Sequence, residues 1–377
     1  MPADHLTTLL IGTRKGLVVA RRDGRGRPWV SEPIRFALSA VYAVAIDPRP
    51  ATPRLFASIY SEWSGTNLAY SDDFGTTWVE PVKPPIRFPE GADTALKRIW
   101  QVTPAPAELP GVVYAGTEPS ALFRSDDGGE TFELVQSLWD HPHRKEWGEG
   151  YGGQAIHSIL PHPHDPQRMS VAMSTGGVYR TSDGGESWSP TNRGIRVVFM
   201  PDEYPEFGQC VHKFARDPAV PERMYLQNHG GVYRSDDDGD SWTPIESGLP
   251  STFGFPVVAH PRRPDTVYAF PLSDTDRMPP ERACRVYRTE DAGASWQPLG
   301  NGLPQQNFYP GVMRDAMCAD TATGATAGTA TGLDDEPAGI YFGSRGGEVF
   351  ASDDDGESWT TVTTHLPDVL SVRALTH

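Results

Sequence analysis

The chain has 377 residues, 38% hydrophobic and 22% charged, with 38 Gly and 36 Pro, a mix that suits many short strands joined by tight turns. Its formal charge is −16, from 33 basic and 49 acidic residues, which argues against nucleic acid or an anionic membrane as partner because both need clustered Lys and Arg. Cys210, Cys284 and Cys318 are too scattered for a disulfide framework or a zinc knuckle. No run of about 18 apolar residues and no basic-then-apolar leader is visible, so a cytoplasmic protein is the expectation.

In chain order, Leu10-Ile11-Gly12-Thr13-Arg14-Lys15-Gly16-Leu17-Val18-Val19 reads as two strands about a turn, followed by a worn motif at Asp23, Gly24 and Trp29. The full motif, Ser/Thr-x-Asp-x-Gly-x-x-Trp/Phe, then recurs six times, starting at Ser71, Ser125, Thr181, Ser235, Thr289 and Ser352. Successive starts differ by 54, 56, 54, 54 and 63 residues, and fixed periods of this size mean propellers or solenoids. The β-branched and aromatic alternation around each copy decides for a propeller. The long interval contains Thr321–Gly332, a Thr/Ala/Gly stretch that reads as an inserted loop. Val369-Leu370-Ser371-Val372-Arg373-Ala374 supplies the inner strand missing at the N-terminus.

The predicted fold is therefore all-β: a single seven-bladed β-propeller of four-stranded antiparallel blades, closed by pairing of the N- and C-terminal strands in one blade. The blades are expected near residues 5–32 plus 366–377, 37–82, 96–138, 153–192, 208–246, 253–299 and 308–364. Closure in this manner leaves no open sheet edge. The motif itself is turn chemistry: Asp and Ser oxygens accept from backbone amides, Gly takes a positive φ, and the aromatic packs between sheets.

These motifs resemble the Asp-box, or bacterial neuraminidase, repeats of sialidases, xyloglucanases, sortilin-type receptors and photosystem assembly factors. With Gly12-Thr13-Arg14-Lys15-Gly16 at its start, the chain is similar to bacterial sialidase-like, BNR-repeat glycosyl hydrolase-like proteins. The resemblance implies a carbohydrate-directed propeller. It departs from sialidases at their Phe/Tyr-Arg-Ile-Pro motif, for which this chain has only Ile34-Arg35-Phe36 and Ile86-Arg87-Phe88-Pro89.

The repeated turns mark one face, so a site is sought on the other, where inner strands begin and second-to-third-strand turns lie. Aligning the inner strands places Tyr42, Trp100, His157, His212, Phe255, Arg314 and Leu370 at one level. The turns add Arg14, Lys15, Glu62, Glu118, Asn228, His229 and Arg345. Three readings stay open. His157, His212 and His229 could bind a divalent metal (Zn, Mn or Fe), with Glu118 or Gln227 completing the shell, in a metal-dependent hydrolase or lyase. Alternatively, the ring acts on a sugar or other polar molecule without metal. Arg14, Lys15, Asn228, Arg314 and Arg345 would then bind it, Trp100 and Tyr42 would stack on it, and Glu62, Glu118 or a His would serve as acid or base. Third, the face docks a protein partner with no chemistry. Two loops, Leu138–Gly153 with its His141-Pro142-His143 triplet and Arg196–Phe207, are expected to wall the opening.

Overall fold

The computed structural model describes residues 6–150, 153–322 and 336–377. Strand follows strand along nearly all of it. Four sheets are four-stranded and antiparallel, each built from consecutive strands that begin at Arg98–Pro104, Ile156–His162, Val211–Arg216 and Gly254–Ala259. A three-stranded sheet runs from Ala40–Asp47 to Gly65–Ser71, and a bridge between Tyr70 and Val79 extends its outer edge. The remaining strands form an eight-stranded sheet. Half of it is Val312–Ala322 and the three strands after it; the other half joins Val369–Thr376 to Leu6–Thr13, Gly16–Asp23 and Val30–Ser31.

The two chain ends therefore pair: Thr7 faces Thr376 and Ile11 faces Val372 in antiparallel register. The halves of the large sheet meet through a parallel contact, Asp315 opposite Ser371 and Asp320 opposite Ala374. The first strand of each sheet contacts the first strand of the next, and Val369–Thr376 contacts Ala40–Asp47. Apolar side chains fill the space between neighbouring sheets. Ala172 and Val178, for instance, pack with Val211, Phe214, Leu226 and Tyr233 of the next sheet, removing both faces from water.

All six Ser/Thr-x-Asp-x-Gly turns have one geometry. In the Ser235 copy the hydroxyl accepts from Gly239 N at 2.8 Å and donates to Asp237 Oδ1 at 2.8 Å, while Asp237 accepts from Ser241 N at 2.9 Å and Ser241 Oγ at 2.6 Å. Equivalent bonds recur at Ser71, Ser125, Thr181, Thr289 and Ser352. The Gly sits at a φ of 83–97° in each copy, which an L side chain rarely adopts. The aromatic closing each motif is buried in five of the six (Phe132, Trp188, Trp242, Trp296, Trp359) and half-buried at Trp78. Of the expected Thr321–Gly332 loop, only Thr321 and Ala322 are among the described residues, at the end of a strand.

Candidate functional site

The seven residues aligned from sequence all fall on register irregularities of their strands. Shifts between Ile99 and Gln101, Ile156 and Ser158, and Val211 and Lys213 leave Trp100, His157 and His212 without a cross-strand partner. Wider shifts enclose Tyr42, Phe255 and Arg314, and Leu370 is skipped where Gly12 pairs with Ser371 but Thr13 with Val369. A bulge frees a residue from the ladder and re-aims its side chain, here at the same level in every strand.

The freed side chains fill the space they surround. Except for the half-buried Phe255, each is at most 9% exposed. Tyr42 packs on Trp100 with ring centroids 5.2 Å apart and on Tyr60 at 6.3 Å. The Arg98 guanidinium lies over both tyrosine rings. Glu118 accepts from Arg98 Nη1 at 2.8 Å and Trp100 Nε1 at 3.0 Å. Its carboxylate also lies against Gly153, where a Cβ would come within 2.6 Å of Glu118 Oε1, so a side chain there would have to displace the carboxylate. Glu118 is thus an anchored, ion-paired anion. The Arg314 guanidinium lies 5.1 Å from the Trp100 ring and 5.8 Å from Phe255.

One step further along the strands lies a layer not anticipated from sequence. Lys213 Nζ donates to Asp315 Oδ1 at 2.8 Å and Gln101 Oε1 at 2.9 Å, and Arg373 Nη2 donates to Asp315 Oδ1 at 2.7 Å. Although burial works the other way, Lys213 and Arg373 hold the Asp315 carboxyl below its usual range. Lys213, Gln101 and Asp315 each directly follow one of the aligned inner-strand residues, and Arg373 lies three after Leu370, but position alone does not single them out. The layer exists because four inner strands meet at one level.

The histidines divide. His157 is fully buried, its Nδ1 is 3.2 Å from Ser158 Oγ, and its Nε2 has no hydrogen-bond partner among the described residues. His212 Nδ1 donates to the Gly254 carbonyl at 2.6 Å, which leaves Nε2 with a lone pair, 3.7 Å from Cys210 Sγ. Burial, reinforced by Arg314, holds both imidazoles well below the usual histidine pKa; burial first, then Arg277, lowers His229. The donor atoms of Cys210, His212 and His229 lie within 4.8 Å of one another. The structure therefore brings together two of the three histidines expected as ligands and sets Cys210, not His157, beside them. The reason is local: Cys210 immediately precedes the strand Val211–Arg216, the bulge at His212 sets that ring's Nε2 3.7 Å from Cys210 Sγ, and His229 N donates to the Cys210 carbonyl at 2.9 Å.

Other expected site residues lie elsewhere. Arg14 and Arg345 are exposed and share Asp368, at 3.6 and 3.0 Å. Lys15 and Glu62 are exposed at turn tips. Asn228 is buried and donates to Arg196 O at 2.9 Å. Gln227 spends its amide on the carbonyls of Asn228, Gly231 and Thr252, and Glu118 is held by Arg98 and Trp100, so neither joins the cysteine–histidine cluster. In the first loop, His143 contacts Tyr179 OH at 3.1 Å and stacks on Phe207, and Trp147 Nε1 donates to the same hydroxyl at 2.9 Å. The His-Pro-His triplet is packing. Tyr151 lies outside the described residues.

A cavity of about 380 Å³ lies not over the strand ring but beside the Ser61–Gly65 turn. It is lined by Ser39, Ser61, Ser64, Asn67 and Glu80, together with Ile59, Pro81, Val82 and Pro84. At the tip of that turn Trp63 is 96% exposed. Sequence reasoning missed it, although a Trp between Glu62 and Ser64 in a Gly-closed turn has no core to enter.

No family model matches the chain. It is similar to the xyloglucanase Xgh74A of Acetivibrio thermocellus, 29% identical over 157 residues, which is 37% of this chain and 18% of that protein. It is also similar to a xyloglucanase of a Paenibacillus species, 25% identical over 249 residues, 58% of this chain and 22% of that one. The chain thus spans about a fifth of the length of these curated relatives. Among solved structures it superposes on an ancestral GH74 enzyme with a TM-score of 0.55 and 18% identity, covering 86% of this chain and 39% of that one. Apo AztD from Citrobacter koseri gives a TM-score of 0.54 at 10% identity, over 99% and 98% of the two chains. At such identities the likeness defines the fold: an all-β propeller built of antiparallel sheets.

Proposed function

We propose that this is a seven-bladed, Asp-box propeller closed by its terminal strands, and that it binds a carbohydrate or a similarly hydroxyl-rich ligand in glycosyl hydrolase-like fashion. The observation that carries this reading is the fully exposed Trp63 beside a polar-walled cavity of about 380 Å³. A pyranose presents C–H bonds that pack on the electron-rich face of an indole, while Ser61 and Ser64 offer hydroxyls for its oxygens; Asn67 Nδ2 is committed to Pro81 O at 2.7 Å. The similarity to xyloglucanases supports the ligand class. Hydrolysis would need two carboxyl groups about 5–9.5 Å apart. Glu62 on the turn and Glu80 in the cavity wall are the pair to test, whereas Glu118 is already paired to Arg98. A glycan ligand in a cytoplasmic setting completes the reading.

The test is a glycan panel that includes xyloglucan oligosaccharides and sialosides, read by calorimetry and by release of reducing ends. Trp63→Ala is expected to weaken binding about tenfold, equivalent to about 1.4 kcal/mol, with unfolding unchanged. Glu62→Gln and Glu80→Gln should lower turnover more than affinity. Binding indifferent to Trp63→Ala would refute the assignment. The exposed Val198, Phe199, Met200 and Tyr204 favour a second reading, a protein-docking face, if no glycan binds.

A further inference from the structure

On the opposite side of the strand ring from the Tyr42–Trp100 aromatics, three donors converge that the carbohydrate reading does not use. Cys210 Sγ and His212 Nε2 are 3.7 Å apart. Two ligands on a tetrahedral zinc, with sulfur at about 2.3 Å and nitrogen at about 2.0–2.1 Å, lie about 3.5 Å from each other. The pair is thus already spaced as two corners of such a shell. A thiol–imidazole hydrogen bond would account for that pair alone. It would not account for the His229 ring, whose donor lies within 4.8 Å of both and which no side-chain hydrogen bond engages among the described residues.

We propose that Cys210, His212 and His229 form a three-ligand site for a borderline or soft cation, zinc above all, with a fourth position left for water or an exchangeable ligand. The His212 ring is oriented as a ligand should be, with Nδ1–H anchored on the Gly254 carbonyl and Nε2 directed at the thiol, the outer-shell arrangement that fixes a metal-binding imidazole. Its ring also packs against Phe253 and Phe255, at 5.2 and 4.9 Å, and His229 packs on Phe253 at 5.1 Å. These rings limit reorientation away from the cluster.

The electrostatics select the ion. Arg277 and Arg314 stand near enough to act on the cluster, and their charge opposes any cation held by charge alone. Calcium and magnesium, which need carboxylate and carbonyl oxygen, are excluded by a sulfur–nitrogen set. Burial, only partly offset by Arg314 and Arg277, raises the Cys210 thiol above its usual range, so binding trades its proton for a metal–sulfur bond.

The adjacent sheet is an internal control. Its Gly153-Gln154-Ala155-Ile156-His157 echoes Gly208-Gln209-Cys210-Val211-His212, and its Ser174-Thr175-Gly176-Gly177 echoes Asn228-His229-Gly230-Gly231. One of three donors is present there, against all three here.

The reduced full-length chain should be titrated with Co(II), then with Zn(II) in competition. One equivalent of cobalt is expected, with a thiolate-to-cobalt charge-transfer band and the intense visible bands of a tetrahedral centre, both abolished by zinc. Cys210→Ser should remove the charge-transfer band. Loss of an outer-shell partner alone costs about 10–100-fold, so His229→Ala should weaken zinc by more than a hundredfold. His229 is half-exposed, so this variant is expected to fold, with circular dichroism as the check. His157→Ala should leave the spectrum and stoichiometry unchanged. Cobalt bound without the thiolate band, no cobalt bound, or equal affinity in wild type and His229→Ala would each overturn the site. Glycan binding through Trp63 is independent of all these outcomes.

Discussion

The sheet that begins at Ile156 and the sheet that begins at Val211 are neighbours in space and near-copies in sequence, yet they are put to different use. Both free a histidine at a bulge after a Gly-Gln peptide, and both continue through Gly-Val-Tyr-Arg into a Ser/Thr-x-Asp-x-Gly turn. In the first sheet the freed His157 is followed by Ser158 and sits beside Ala155. In the second, His212 is followed by Lys213, which reaches into the centre to Asp315, and is preceded by Cys210, which joins the histidine cluster. The shared parts make the scaffold; the differing parts place charge and metal-binding donors on it. A repeat protein can thus specialise one blade through a few inner-strand and turn positions while the turns that hold it stay the same.

The largest difference expected between the two sheets is in the buried charge layer. Asp315→Ala would leave the part-buried Lys213 and Arg373 with no carboxylate, and removal of one partner of a buried ionic group costs about 3–5 kcal/mol. Ser158→Ala, at the position matching Lys213, should cost under about 1 kcal/mol. Lys213→Met keeps the Asp315–Arg373 pair (2.7 Å) and so should cost less than half of the Asp315→Ala effect. Urea unfolding of the three variants tests this ordering, and a small effect of Asp315→Ala would mean that the layer is solvated.

Much of the fold was legible because its determinants are local and repeated. The spacing of Ser71, Ser125, Thr181, Ser235, Thr289 and Ser352 is enough to infer an all-β propeller, since Ser, Asp and Gly make one turn whatever surrounds them. The level of Trp100, His157 and His212 was also readable, because a period of two and a shared turn set the register. The site was less so. Cys210 looked like one scattered cysteine until the fold set its Sγ 3.7 Å from His212 Nε2, and the hairpin brought His229 alongside. The Lys213–Asp315–Arg373 layer joins residues about 60–160 positions apart, and no local pattern announces such a meeting. Arg14 and Arg345 looked like ligand-binding cations, but Asp368 claims both; a surface carboxylate from a third loop is invisible to pattern reading.

A middle-sized effect should be the same in both sheets. Thr181→Ala removes the acceptor of Gly185 N at 2.9 Å and Ser235→Ala that of Gly239 N at 2.8 Å. Loss of such a capping-type bond costs about 0.5–2 kcal/mol. Equal losses within about 0.5 kcal/mol would confirm that the turns are interchangeable staples. A clear inequality would show that the specialised sheet has also altered its scaffold.

The smallest effect is a matter of pH. Ser187 donates to Asp183 from its hydroxyl and its amide, Thr181 adds a third bond, and together they lower the Asp183 carboxyl from 3.8 to about 2. A folded-state pKa below the unfolded one means that the unfolded chain takes up the proton first as the solution is acidified. The stabilisation is therefore complete above pH 3.8 and fades as pH falls toward 2. Asp183→Asn should be less stable than wild type at neutral pH, and the gap should narrow through that window. In the matching turn Asp237 is also lowered, by Ser241 and Ser235 against the opposing effect of burial, so Asp237→Asn should show the same convergence. Urea midpoints measured from pH 7 down to pH 2 would decide. A gap that stays constant with pH would mean that the carboxylate's charge contributes nothing and that only the shape of the turn matters.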